Sequence, residues 1–189
     1  MKNKGNLIVI SGPSGVGKGT VCKRLLTECD DLVLSVSATT REPRCEDVEG
    51  VTYFFKSREE FKAMIDAGEF LEWAVYNDNY YGTPRTAVEE NRARGINVLL
   101  EIDVQGALNV KNNFPDGVYI FIAPPDVETL HTRLVGRGTE TLEEIQKRVA
   151  AADEELSKQN EYDYIVVNDV LDEAVEEIKE IIKARSERI

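Results

Sequence analysis

Four short runs of mainly apolar residues stand out along the chain: Leu7 to Ile10, Val98 to Ile102, Val118 to Ala123 and Tyr164 to Val167. A fifth, Leu32 to Ser37, alternates more between apolar and polar positions. Apolar runs of this length predict strands covered on both faces. The stretches between them carry a different period. Leu171, Ala174, Val175, Ile178, Ile181 and Ile182 recur at the spacing of one helical face, and Val21, Cys22, Leu25, Leu26 and Cys29 do the same after the first run. Strands separated by helices predict parallel pairing. The expected fold class is α/β, with a five-stranded parallel sheet flanked by helices.

Two segments interrupt that alternation, and both are richer in polar, aromatic and glycine residues than the stretches around them. The first covers 37–90. Within it Ser57 and Glu60 have capping-box spacing, ahead of a helix with Phe61, Met64 and Ile65 on one face and Gly68 near its end. The second covers 124–152, where Gly136-Arg137-Gly138 is followed by Thr141 and Glu144, again at capping-box spacing. The predicted organisation is a single domain over 1–189. Its core comes from 1–36, 91–123 and 153–189; the segment 37–90 forms a small substrate lobe and 124–152 a helical lid.

The formal net charge of −12 argues against nucleic acid or an anionic membrane as the main partner, because both select a basic field. Any anion site is then local, which is feasible because charges beyond a Debye length of about 8 Å are mostly screened. The apolar run in the opening MKNKGNLIVI is too short for a signal peptide, and no later run is long enough to span a membrane. Neither export nor an anchor is expected, and the expected location is cytoplasmic. Cys22, Cys29 and Cys45 show neither a metal spacing nor a disulfide framework, so reduced thiols are expected, with Cys45 exposed. His131, the one histidine, reads as a helix-surface or half-buried residue rather than a catalytic one. Monomer and homo-oligomer are both compatible with the sequence.

The segment Gly12-Pro13-Ser14-Gly15-Val16-Gly17-Lys18-Gly19-Thr20 lies between the first predicted strand and its helix. Glycines let consecutive backbone N–H groups turn inward around phosphate oxygens, the helix N-terminus adds partial positive charge, and Lys18 adds a full one. A bare G-x-x-x-x-G-K arises by chance in roughly a few per cent of chains of this length. The strand before it and the amphipathic helix after it favour a phosphate loop over an ordinary glycine-rich turn. Gly19 follows Lys18 where a hydroxyl is usual, and the hydroxyl comes one residue later at Thr20. Further on, Arg41 and Arg44 flank a proline. Composition leaves two readings open there, a pair of guanidinium forks for a phosphate or an exposed ion-pairing turn.

From Ser35-Val36-Ser37-Ala38-Thr39-Thr40-Arg41-Glu42-Pro43-Arg44 onward, the chain resembles the guanylate kinase family. The similarity continues through Tyr53, Phe70-Leu71-Glu72-Trp73, Tyr80-Tyr81-Gly82-Thr83, Glu101-Ile102-Asp103-Val104-Gln105-Gly106, Ile122-Ala123-Pro124-Pro125, Gly136-Arg137-Gly138-Thr139-Glu140 and Val167-Asn168-Asp169. One stretch departs: Cys45-Glu46-Asp47 stands where the family tends to have a small residue, glycine and glutamate.

The resemblance implies a P-loop NTPase-type core and transfer of the γ-phosphoryl group of Mg-ATP to GMP. It implies that residues Gly12 to Thr20 hold ATP, with Asn168 near the adenine. Arg41, Arg44, Tyr53 and Tyr81 would hold the GMP phosphate, while Glu72, Ser37, Thr83 and Asp103 would read guanine. A carboxylate suits the adjacent N1–H and N2–H₂ donors of that base, which adenine lacks. Lys18, Arg137 and Arg148 are the implied catalytic residues, with Glu101 holding Mg²⁺ through water and Thr20 a second metal candidate. No side-chain nucleophile is needed, because a phosphomonoester with a second pKa near 6 is largely dianionic at neutral pH. Two rival readings are a kinase for another nucleoside monophosphate and a non-catalytic module that binds phosphopeptides through the same arginines. Glu72 argues against the first, and the intact Gly17-Lys18 against the second.

Overall fold

The computed structural model describes residues 4–76, 78–135 and 142–186, apart from the side chains of 135 and 142–145. All five apolar runs form strands of one sheet: β1 (Leu7–Ser11), β2 (Leu32–Leu34), β7 (Asn97–Glu101), β8 (Val118–Ala123) and β9 (Tyr164–Val167). They pair in the order β2-β7-β1-β8-β9, and every pairing is parallel. β2 stops at Leu34 rather than running to Ser37. Ser35 adds one more rung by donating to the Leu99 carbonyl at 2.9 Å, after which the Ser37 carbonyl accepts from Phe54. The chain thus leaves one sheet for another within three residues.

The unbroken apolar character of the strands follows from cover on both faces. Ile8, Ile10, Leu99, Ile120 and Ile122 pack against Val21, Cys22 and Leu25 of α1 (Lys18–Glu28) and Ala174, Val175 and Ile178 of α7 (Leu171–Ser186). Leu7, Val9, Val98, Leu100, Tyr119 and Phe121 pack on the opposite face against Val88 of α3 (Arg85–Ala93) and Val104, Ala107 and Val110 of α4 (Val104–Asn113). Two further helices follow β8, α5 (Val127–Val135) and α6 (Leu142–Ser157). His131 bonds Asp153 across these two at 3.1 Å, a surface pairing. Among the described residues no helix is long and apolar enough to cross a membrane. Cys45 is exposed, and Cys22 is buried at the sheet.

Between β2 and α3 the chain builds a second sheet of β3 (Ala38–Thr39), β4 (Phe54–Phe55), β5 (Phe70–Tyr76) and β6 (Asn79–Pro84), in the order β4-β3-β6-β5. The helix α2 (Arg58–Asp66) covers it, opened by the expected capping box of Ser57 and Glu60. Phe61 stacks on Phe70 at 4.4 Å and on Tyr80 at 5.3 Å, which fixes this small core. Thr141 and Arg137 lie outside the described residues, as do the side chain of Glu144 and with it the second capping box.

Candidate active site

The phosphate loop bridges β1 and α1. Gly12, Gly15 and Gly17 have φ of 145°, 85° and 95°, a region that side chains disfavour, so the turn selects glycine. Gly17 is the N-cap of α1, and no side chain caps that helix. Its first N–H groups are therefore disposed to take an anion. Lys18 donates to the carbonyls of Gly12 at 2.5 Å and Pro13 at 3.1 Å. Burial pushes its ammonium below the ordinary lysine value, and Glu155, Glu101 and Asp103 oppose that shift.

Asn168, at the end of β9, supports the loop from below. Its side-chain amide donates to the Val16 carbonyl at 2.8 Å, and its backbone N–H bonds Ala123 at 2.8 Å. A Cβ on Gly17 would lie 2.7 Å from that amide, so Gly17 is also needed for this close approach.

The carboxyl ends of β1 and β7 open into a cleft of about 280 Å³, lined by Ser14, Lys18, Ser37, Tyr53, Glu72, Tyr81, Glu101, Asp103 and Glu155 among others. Ligands of open α/β sheets bind at this end of the strands. One cavity therefore joins the phosphate loop to most of the residues implied for the acceptor.

Glu72 reaches the cleft through a β-bulge. The β5–β6 register pairs Phe70 with Pro84 and Glu72 with Thr83, so one extra residue sits in β5. Without it, strict alternation would turn Leu71 and Glu72 to opposite faces; with it, Leu71 enters the main core while Glu72 turns inward. The Thr83 hydroxyl donates to Glu72 Oε1 at 2.7 Å. Only 8% of Glu72 is exposed, and this burial raises its pKa to about 7, with the Thr83 bond opposing and Asp103 adding to the rise.

Asp103 caps α4 by accepting from the Gly106 N–H at 2.6 Å. A Cβ on Gly106 would lie 3.0 Å from Glu72 Oε2 and 3.2 Å from Asp103 Oδ1. Its place in the Glu101-to-Gly106 stretch was visible in the sequence, but this contact was not. Gly106→Ala should therefore raise the KM for the acceptor about tenfold, equivalent to about 1.4 kcal/mol of binding, because the methyl pushes the Glu72 and Asp103 carboxylates aside. The KM for ATP should stay unchanged, and steady-state kinetics with each substrate varied separately would check both.

The arginine segment is folded around Asp47, which stands where the family tends to have glutamate. Asp47 Oδ2 accepts from the Arg41 guanidinium at 2.8 Å and from the Arg44 backbone N–H at 2.7 Å. Those bonds, the Arg44 N–H foremost, hold Asp47 below the usual carboxylate range. Arg41 also lies over the Tyr53 ring at 5.4 Å, and Tyr53 meets Tyr81 edge-on at 6.0 Å. These three residues form one cluster beside the cleft, and the Arg44 residue is exposed. The sequence showed Asp47 only as the end of an unusual stretch, not as the residue that bonds both Arg41 and Arg44.

Around the loop, Arg148 of α6 donates to Ser14 Oγ at 3.3 Å, while Arg137 lies outside the described residues. A Cβ on Gly19 would be 3.5 Å from Glu101 Oε1, so Glu101 faces the first turn of α1. Burial raises the Glu101 pKa, with Lys18 opposing. Thr20 is exposed on α1.

A parallel sheet whose first strand runs into a lysine-bearing glycine loop, with an acceptor cleft at the strand ends, defines a P-loop kinase. The guanylate kinase family model matches residues 4–185. Curated guanylate kinases from Caldanaerobacter subterraneus and Halalkalibacterium halodurans are 56% and 55% identical to the chain. They cover 100% and 97% of it, over 92% and 90% of their own lengths. The crystal structure of guanylate kinase from Anaplasma phagocytophilum superposes with a TM-score of 0.80 at 36% identity, covering 97% of this chain and 87% of that one. The shikimate kinase of Bacteroides thetaiotaomicron, at a TM-score of 0.51 and 16% identity over 94% of this chain and 98% of its own, shares the fold alone. The chain belongs to the guanylate kinase family.

Proposed function

We propose that the protein transfers the γ-phosphoryl group of Mg-ATP to GMP, giving ADP and GDP, within cytoplasmic purine nucleotide metabolism. The observation that carries this reading is the single cleft shared by Lys18 of the phosphate loop and the buried Glu72 carboxylate. The loop N–H groups and Lys18 hold the donor phosphates. Arg41, Arg44, Tyr53 and Tyr81 hold the acceptor phosphate, with Asp47 setting the Arg41 guanidinium in place. Glu72 accepts from the guanine N1–H and N2–H₂, supported by Ser37, Thr83 and Asp103. Residues 37–90 act as the acceptor lobe and 124–152 as the lid, which brings Arg148 and Arg137 to the transferring group.

An oxygen of the GMP phosphate attacks the γ-phosphorus, and the bond from that phosphorus to the bridging oxygen of ADP breaks. The acceptor is already anionic, so the protein's work is alignment and charge neutralisation. Oxygen donors suit Mg²⁺, which keeps several of its waters. Glu101, facing the first turn of α1, fits a water-mediated holder; the exposed Thr20 fits less well. When bound, Mg²⁺ neutralises charge on the donor phosphate oxygens.

The test is ADP production from Mg-ATP with GMP, AMP, UMP or CMP supplied singly. Turnover is expected with GMP, and only weak ATP hydrolysis without an acceptor, because the open site admits water but does not align it for attack. Preference for another monophosphate would overturn the base assignment, and inactivity with all four in a folded protein would favour a phosphopeptide-binding module.

A further inference from the structure

Helix α6 carries Arg148 and Glu155 seven residues apart, which is two turns and one face. Both meet Ser14 of the phosphate loop. Arg148 donates to the Ser14 hydroxyl at 3.3 Å, and the Ser14 backbone N–H donates to Glu155 Oε2, also at 3.3 Å. Glu155 lines the same cleft as Lys18, and it is the foremost charge acting on the Lys18 ammonium. A carboxylate oxygen that accepts from a phosphate-loop amide beside the loop lysine has the charge and acceptor chemistry of a phosphate oxygen. Nothing in the phosphotransfer scheme above uses it.

We propose that Glu155 is a positioning residue, a carboxylate that fills the loop's anion-binding position until the donor's phosphates replace it, and so ties α6 to the loop. The proposal rests on the donor-site reading above. Its energetic logic is a competition for the same N–H and the same ammonium. Burial makes the Glu155 carboxylate harder to ionise, and Lys18 and the Ser14 N–H offset that burden. Asp103 from α4 and Glu154 on its own helix add repulsion, and the rings of Tyr76 and Tyr162 stand within its field. Incoming polyphosphate takes both of its favourable partners. The displaced carboxylate is then left facing anions, which drives the Glu155 end of α6 off the loop while Arg148, on the same face, remains attracted to the donor. Exchange of one anion for another thus resets the helix that supplies a catalytic arginine.

The test uses the full chain and inorganic pyrophosphate as probe, with ATP as a second ligand, by calorimetry. At about pH 8, Glu155→Gln should bind both about tenfold more tightly than the unaltered protein, since a charge-assisted competitor has been removed. Glu155→Asp should restore weaker binding, which a packing role for the side chain would not do. The advantage of the glutamine variant should shrink toward about pH 5, because the raised pKa of Glu155 lets the unaltered protein protonate its own competitor. Equal or weaker pyrophosphate binding by Glu155→Gln at the higher pH overturns the proposal. Binding of neither ligand by either protein overturns it together with the donor site on which it rests. Glu155→Ala serves the same comparison should the glutamine variant fail to fold.

Discussion

Replacing Glu72 with glutamine should lower GMP-dependent kcat/KM by about three orders of magnitude and, at about pH 8, raise the melting temperature. The two effects share one cause. A buried carboxylate bonded by Thr83 on Oε1 still has acceptor capacity on Oε2, and Glu72 lines the cleft. Guanine satisfies it with two adjacent donors; glutamine presents an NH₂ there and faces those donors with another donor. In the unliganded protein the same carboxylate is a burden. Its pKa is about 7 when folded, against 4.5 ordinarily. Below the lower value both states are protonated and Glu72 is neutral in its effect on pH dependence. As pH rises, the unfolded chain gives up its proton first, so stability falls through this window, by about 3 kcal/mol when the folded group has also ionised. Glutamine carries no such penalty. The gain in melting temperature should therefore be several degrees at the higher pH and fade toward about pH 5. Calorimetry across that range, paired with GMP kinetics, checks both halves. Unchanged melting at the higher pH would show that Glu72 is not strained by burial, and retained GMP turnover would remove it from base recognition.

The large sheet was readable because burial on both faces writes itself as unbroken apolar runs; Val118 to Ala123 and Tyr164 to Val167 were bounded to the residue. Leu32 to Ser37 was read too long because its polar end belongs to the crossing between sheets, where pairing partners change and periodicity carries no signal. The capping box at Ser57 and the glycine loop were legible as local chemistry, fixed by neighbours in sequence. What sequence could not show was long-range. The bulge that turns Glu72 inward depends on the β6 register, and Gly106 matters because α4 brings it against a carboxylate thirty-four residues earlier in the chain. Glu155 belongs to the same class: on α6 alone it is one acid among several, and only the docking of that helix on Ser14 sets it beside Lys18. The bond from the Asn168 amide to the Val16 carbonyl, across 152 residues, was equally invisible in the sequence.

Lys18→Met should reduce kcat by about a thousandfold with little change in GMP binding. Methionine keeps an unbranched apolar stem of similar length, so the cleft retains its shape while the ammonium is lost. That ammonium closes the loop on the Gly12 and Pro13 carbonyls in the unliganded protein. Gly12 and Pro13 are buried, so losing that donor should also lower the melting temperature by a few degrees, at about 1 kcal/mol or more for a buried acceptor left without its partner. The charge itself has no substitute there. Spreading negative charge on the transferring group would face Glu101, Asp103 and Glu155, all in the same cleft, with the arginines alone to offset them. Lys18→Arg should fare nearly as badly, because a planar fork cannot reach back to two loop carbonyls as a compact ammonium does. The lowered pKa of Lys18 also implies an alkaline fall in activity that begins below the ordinary lysine range, since deprotonation then comes earlier as pH rises. Single-turnover kinetics at saturating ATP separates the outcomes. A large loss in the chemical step for both variants supports a transition-state role, whereas a loss confined to ATP affinity would reduce Lys18 to donor binding and shift the neutralising role to Arg148 and its neighbours.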